Sequence, residues 1–169
     1  MSDGPSATIL DLFDRYADGV FTLGYRLLGD RHLAEDVVQE TFLSVLRGIA
    51  SYREEGPIAG WLYRIAYRSA IAQQRKRRDL PTDPADMIDL VGHATDDVER
   101  TVISRELLVA MDRAISALTP PLGAAFVLRE IEGLSTQEVA QALEISASSV
   151  KMRLARARKA LRSRLKGYL

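Results

Sequence analysis

The sequence predicts an all-α protein of two small helical domains joined by an acidic linker, on three observations. Apolar residues recur at spacings of three and four on either side of a central gap, and no segment shows the two-residue alternation of a strand. The gap, residues 79–99, holds Pro81 and Pro84, seven acids (Asp79, Asp83, Asp86, Asp89, Asp96, Asp97, Glu99) and no Lys or Arg. Such a stretch has too little apolar surface to pack, so it is expected to be an extended, mobile connection, with room for a short turn at Met87–Leu90. Near the C-terminus two capped helices follow one another, the second uninterruptedly basic. The expected domains are 6–78 and 100–167.

The first helix is expected over Thr8–Leu28, where Ile9, Phe13, Tyr16, Val20, Gly24 and Leu27 keep helical spacing. Gly29-Asp30 ends it, and Asp30 is placed to cap a second helix reaching about Ile49. There Leu33, Val37, Thr41, Val45 and Ile49 form the core side, while Asp36, Gln39, Glu40, Leu43 and Arg47 form a polar side carrying one leucine. That side reads either as a solvated face or as a docking surface. Ser51–Gly56 is a loop, and Pro57 suits the first position of a third helix to about Arg78. Its inner stripe is Ile58, Trp61, Leu62, Ile65, Ser69 and Ala72. Tyr63, Arg64, Tyr67, Arg68, Ile71 and Arg75 lie outside it, and the helix ends Arg75-Lys76-Arg77-Arg78. Rings interleaved with guanidiniums suit single-stranded nucleic acid, since rings stack on bases and cations meet phosphates. Ordinary packing remains the alternative for Tyr63 and Tyr67, and a core position is the simplest reading of Trp61.

After the linker, Thr101–Leu118 is expected to be helical with Val102, Leu108, Met111, Ile115 and Leu118 on one side. Thr119-Pro120-Pro121 starts the next turn, and Leu122–Glu132 follows with Phe126, Val127 and Ile131, closed by Gly133. Ser135-Thr136-Gln137-Glu138 is a capping box opening a short helix with Val139, Ala140 and Leu143 as its apolar side. Ser146 is placed to cap a last helix to about Gly167, whose Val150, Leu154, Ala157, Leu161 and Leu165 make one stripe. Burying that stripe turns Ser148, Met152, Ala155, Arg156 and Lys159 outward, with Ser149, Lys151 and Arg153 near the start and on the flanks. From Ser146 onward there are eight basic residues and no acid. A short capped helix, a tight turn and a basic helix with one apolar stripe is a helix-turn-helix, its second helix sized for the DNA major groove. A membrane-surface helix is the bland alternative, but the stripe lacks Trp and Phe and leaves the preceding capped helix unexplained.

Composition narrows the function classes. Lys plus Arg and Asp plus Glu are 23 each, yet residues 100–169 hold twelve basic against six acidic side chains, so local charge carries more information than the net value of zero. Without cysteine there are no disulfides or thiolate metal sites, as suits a reducing cytoplasm. No apolar run is long enough to span a bilayer, and the N-terminus has neither the basic start nor the apolar core of a signal peptide. His32 with Glu35 and Asp36 is better explained as a capped helix start than as a metal cluster, and His93 lies in the linker. With no phosphate-cradling Gly loop and no nucleophile motif, a non-enzyme without cofactor or metal is expected.

Two separated motifs point the same way. Ala34-Glu35-Asp36-Val37-Val38-Gln39-Glu40-Thr41-Phe42-Leu43 and Trp61-Leu62-Tyr63-Arg64-Ile65-Ala66 resemble region two of the extracytoplasmic-function sigma factors. Leu128-Arg129-Glu130-Ile131-Glu132-Gly133-Leu134-Ser135 and Ser149–Leu161 resemble their region four. The resemblance covers nearly the whole chain in the family's order. It implies a factor that binds core RNA polymerase, recognises promoter DNA as duplex and single strand, and helps open it. Asp36, Gln39, Glu40 and Leu43 would dock on the polymerase. Tyr52, Tyr63, Arg64, Tyr67, Arg68, Arg75 and Lys76 would serve the downstream (minus ten) element. Ser148, Ser149, Lys151, Met152, Arg153, Ala155, Arg156 and Lys159 would serve the upstream (minus thirty-five) element. It further implies a cytoplasmic monomer held by an anti-sigma factor. Three positions depart from the family pattern: Arg68 where many members have Asn, Glu144 where the helix-turn-helix turn often has Gly, and the apolar Leu122-Gly123-Ala124-Ala125. A plain helix-turn-helix regulator is the competing reading, but it leaves the 34–43 and 61–78 motifs without a task, and a purely structural helical adaptor leaves the basic run unexplained.

Overall fold

A computed structural model describes residues 9–52, 56–78 and 101–168; the expected linker at 79–99 lies outside the described residues. Among the described residues, seven α-helices follow in chain order: α1 Ile9–Leu28, α2 Arg31–Gly48, α3 Ile58–Arg78, α4 Thr101–Ser116, α5 Pro120–Phe126, α6 Thr136–Leu143 and α7 Ala147–Arg164. Among the described residues there is no strand. Helices α1, α2 and α3 pack on one another, and α5, α6 and α7 do the same.

Helix α1 ends where Gly29, at φ 65°, takes the left-handed conformation that a glycine adopts without strain. The Arg77 guanidinium donates to the Leu28 carbonyl there, which ties the end of α3 to the end of α1. Asp30 caps α2 as expected, accepting from the Leu33 amide at 2.9 Å. Val37, Thr41 and Val45 are fully buried on α2, and the Thr41 hydroxyl is satisfied by donating to the Val37 carbonyl at 2.6 Å. Ile49 was expected inside α2, but it begins a short 3₁₀ turn, Ile49–Ser51, and is half-buried.

Helix α3 departs further from the expected stripe. Its buried residues are Ala59, Gly60, Leu62, Tyr63, Ala66 and Ala70, whereas Ala72 is exposed and Trp61, Ile65 and Ser69 are half-buried. The cause is its neighbours: α3 packs on α1 and α2 along one side and on α6 along another. A helix covered on two sides buries a wider arc than one apolar stripe records, and its small residues admit the second neighbour.

In the C-terminal half, Ala114, Ile115 and Leu118 enter the core, while Leu108, expected with them, is 60% exposed. Pro120 and Pro121 start α5 behind Thr119. Its buried side is Gly123, Ala124 and Ala125, and a Cβ on Gly123 would stand 3.3 Å from the Leu27 side chain of α1. The small apolar stretch Gly123-Ala124-Ala125 is therefore a packing surface. Helix α5 continues into a π-helical turn, Val127–Ile131, marked by the Glu132 amide donating five residues back to the Val127 carbonyl at 2.9 Å. The wide turn buries Val127 and Leu128 but rotates Ile131, expected in the core, to 40% exposure. Gly133, at φ 74°, then lets the Leu134 amide reach the Leu128 carbonyl at 2.9 Å and closes the helix.

Candidate nucleic-acid interface

The helix-turn-helix is built from two hydroxyl caps and one left-handed residue. Ser135 accepts from the Glu138 amide and Ser146 from the Ser149 amide, each at 3.1 Å. Between them Glu144 ends α6 at φ 56°, ψ 45°, and the Ile145 amide donates to the Ala140 carbonyl at 3.0 Å. A non-glycine residue in that conformation costs on the order of 1 kcal/mol. Val150, Leu154, Ala157, Leu161 and Leu165 are buried, as the stripe required. Ser148, Lys151, Met152, Ala155, Arg156 and Lys159 are exposed, and Ser149 and Arg153 are half-buried. The Ser146 hydroxyl also meets those of Ser148 and Ser149, at 3.1 and 2.9 Å. Arg158, just beyond this face, pairs with Glu130 of the π turn.

On α3 the structure separates residues that the sequence grouped. Arg75 and Lys76 are exposed at the basic end. Tyr52 lies away from them, its ring on Trp61 with centroids 4.8 Å apart and its hydroxyl donating to the Gly56 carbonyl. Tyr63, expected on the outer face, is only 2% exposed. Its ring meets Tyr16 edge-on at 6.0 Å, and its hydroxyl donates to the Glu132 carboxylate at 3.5 Å. Gly19 makes room for this meeting, since a Cβ there would lie 2.0 Å from the Tyr63 oxygen and 2.6 Å from Glu132 Oε2. Burial raises the Tyr63 phenol well above the ordinary tyrosine range, and the Glu132 carboxylate raises it further. Burial also raises the Glu132 carboxyl, the Tyr63 hydrogen bond lowers it, and Asp18 raises it.

The next turn of α3 faces the same way. Tyr67 is half-buried, and burial raises its phenol while Arg153 of α7 lowers it. Arg68 pairs with Glu144, and Arg64 Nε stands 3.9 Å from the same carboxylate. Gln141 of α6 lies over Gly60, where a Cβ would be 2.1 Å from its Oε1. Tyr63, Arg64, Tyr67 and Arg68 therefore form one face, but that face is turned to the helix-turn-helix. At the other end of the junction Arg26 of α1 pairs with Asp112 of α4.

A different surface is open on α2. Asp36, Gln39, Glu40 and Leu43 are all exposed, Leu43 at 48%. Leu46, not singled out in the sequence, extends the same face at 56% exposure. Its signal was its place three residues after Leu43. Phe13 of α1, 44% exposed, packs edge-on against Phe42 at 4.9 Å between centroids. Among the described residues, no group of His, Cys, Asp and Glu could hold a metal, and no helix is long and apolar enough to cross a membrane.

Residues 12–79 match the family model for Sigma-70 region 2, and residues 108–161 match that for Sigma-70, region 4. The chain is 35% identical over 157 residues to the ECF RNA polymerase sigma factor SigE of Mycolicibacterium smegmatis, covering 92% of this chain and 60% of that protein. It is 33% identical over 171 residues to the ECF RNA polymerase sigma factor SigW of Bacillus subtilis, covering 96% of this chain and 91% of the relative. Its fold is similar to that of the sigma factor RpoE from Bartonella quintana, solved in complex with the anti-sigma factor NepR: TM-score 0.71, 21% identity, 93% of this chain and 96% of that one. CnrH, solved in complex with the cytosolic domain of CnrY, has the same TM-score of 0.71 at 22% identity, over 97% of this chain and 91% of that one.

Proposed function

Because the chain belongs to the extracytoplasmic-function sigma factors of RNA polymerase, we propose that it is a non-catalytic, cytoplasmic promoter-specificity factor. It binds core polymerase, reads an upstream and a downstream promoter element, and helps to separate the strands. The observation that carries this reading is the presence, on separate helices of one chain, of an exposed acid-and-leucine face on α2 and a helix-turn-helix with its reading face open.

In this reading residues 6–78 form the polymerase-docking and strand-opening domain, and 100–167 form the duplex-reading domain. Asp36, Gln39 and Glu40 meet basic groups of the polymerase around Leu43, and Leu46 widens the apolar centre, the usual arrangement of a polar rim about a desolvated core. Helix α7 enters the major groove with Ser148, Ser149, Lys151, Met152 and Arg153 near its start and Ala155, Arg156 and Lys159 along its outward side. The Arg156 fork suits the two acceptors of a guanine edge. Tyr52 and Tyr67 offer rings to flipped bases, and Arg64, Arg68, Arg75 and Lys76 offer cations to phosphates. Tyr63 joins them only when Glu132 is withdrawn. The open α2 face also offers a site for an anti-sigma factor that excludes polymerase.

Transcription from a linear promoter by purified core polymerase, with and without this chain, tests the reading. Asp36→Arg with Glu40→Arg is expected to abolish core binding while helix content stays constant. A chain that binds duplex DNA but neither binds core nor supports initiation is a plain helix-turn-helix regulator instead.

A further inference from the structure

Arg68 and Glu144 meet each other across the two helical units. They lie 76 positions apart in the chain, on α3 and at the turn of the helix-turn-helix. Glu144 is the non-glycine residue with positive φ among the described residues. Its backbone would be less strained as glycine, so a local account of the residue fails. Its side chain supplies another account, since the carboxylate is shared by Arg68 and Arg64.

We propose that the Arg68–Glu144 pair is a latch that holds the free chain closed, with α3's strand-opening face seated on the helix-turn-helix. This rests on the sigma-factor reading for its consequence, though not for its geometry. The surfaces under the latch are fitted for close approach: Gln141 fills the space that a side chain at position 60 would take, and Glu132 receives the Tyr63 hydroxyl. The closed form covers the two domains' DNA-contacting residues unequally. Tyr63 is buried and Tyr67 and Arg64 are half-buried, yet Met152, Ala155, Arg156 and Lys159 remain exposed. A closed chain therefore presents its duplex-reading helix while withholding its single-strand face.

Closure cannot persist in the initiation complex. Elements centred near minus ten and minus thirty-five are separated by about 25 base pairs, or roughly 85 Å of duplex at ~3.4 Å per pair. Side chains within hydrogen-bonding distance across the two domains cannot serve both elements at once, so docking on polymerase must break the latch. The exposed ion pair is suited to this: it is weak enough to open and it loosens with salt.

The chain has no cysteine, so Ala50→Cys and Ser163→Cys, both at exposed positions, allow a specific pair of labels on the full-length protein. Spin-label distance distributions in the free chain are expected to show one dominant, narrow population. Arg68→Glu sets two carboxylates against each other and should broaden the distribution and move it off that distance. Arg68→Glu with Glu144→Arg should return it. Glu144→Gly should lower the closed-to-open ratio by about two- to five-fold without lowering the melting temperature of the helix-turn-helix domain, which separates opening from misfolding. A broad distribution in the native chain, or one unaffected by Arg68→Glu, overturns the latch. Core binding by the native chain is measured alongside: its loss would sink the sigma-factor reading, whereas a latch failure with core binding intact would leave that reading standing.

Discussion

Arg156 and Arg158 are two residues apart on α7, and the proposed reading gives them different work. Arg156 is exposed on the outward side, one turn beyond Met152, while Arg158 is drawn across the domain surface to Glu130. A guanidinium bidentate to guanine discriminates by about 1–3 kcal/mol, and since 1.4 kcal/mol is a factor of ten, Arg156→Ala should relax preference at one upstream position by about 5- to 150-fold. Arg158→Ala removes an exposed ion pair worth about 0–1 kcal/mol and should change affinity for every sequence alike, by less than about five-fold. Fluorescence anisotropy against single-base variants of the upstream element, at one fixed salt concentration, measures both. A salt titration adds a second measure, because loss of a phosphate contact lowers the slope of log affinity against log salt by about one. A uniform loss across all variants for Arg156→Ala, with a reduced slope, would make Arg156 a phosphate clamp and refute the base-reading assignment.

Three further outcomes follow from the geometry. Tyr67→Ala should cost strand opening about 1–3 kcal/mol if a base stacks there, seen as a slower opening rate on a linear promoter with upstream duplex affinity unchanged; a normal rate would make Tyr67 a packing residue. Glu132→Gln should match the native chain at acid pH and exceed its stability near neutrality, in thermal melts across pH. Glu132 titrates higher folded than its ordinary 4.5, so raising pH through the unfolded and then the folded value favours unfolding, and Gln lacks that charge. Leu154→Ala, at a site 5% exposed, should destabilise the helix-turn-helix domain by about 2–5 kcal/mol in urea unfolding; a loss under about 1 kcal/mol would mean that the α7 stripe is not the domain core.

Much of this was legible in the chain. The α7 stripe, the caps at Asp30, Ser135 and Ser146, and the exposed α2 face each depend on residues three or four apart, and local spacing records such relations well. Tyr63 shows where that record stops. Periodicity identifies one apolar stripe per helix, but α3 has a second neighbour, α6, admitted by Gly60, which has no side chain to leave an apolar signal. The π turn was hidden for a different reason: one wider turn shifts Ile131 off the 3.6-residue pattern without altering composition. The Arg68–Glu144 contact was beyond reach because the residues lie 76 positions apart and local spacing relates only near neighbours. Only the packing of α3 on α6 brings them together.

Gly19 has a genetic consequence. It has no side chain of its own, yet adding a single methyl there would collide with the Tyr63 oxygen and the Glu132 carboxylate together. A selection for cells that transcribe the target genes without their inducing signal should therefore return alleles at codon 19, and at codon 60 beneath Gln141, where neither residue can itself contact nucleic acid through a side chain. Such alleles would be dominant, since a factor that no longer closes competes for polymerase beside its normal copy. The two glycines would then mark, on a genetic map, the seam along which the protein is meant to part.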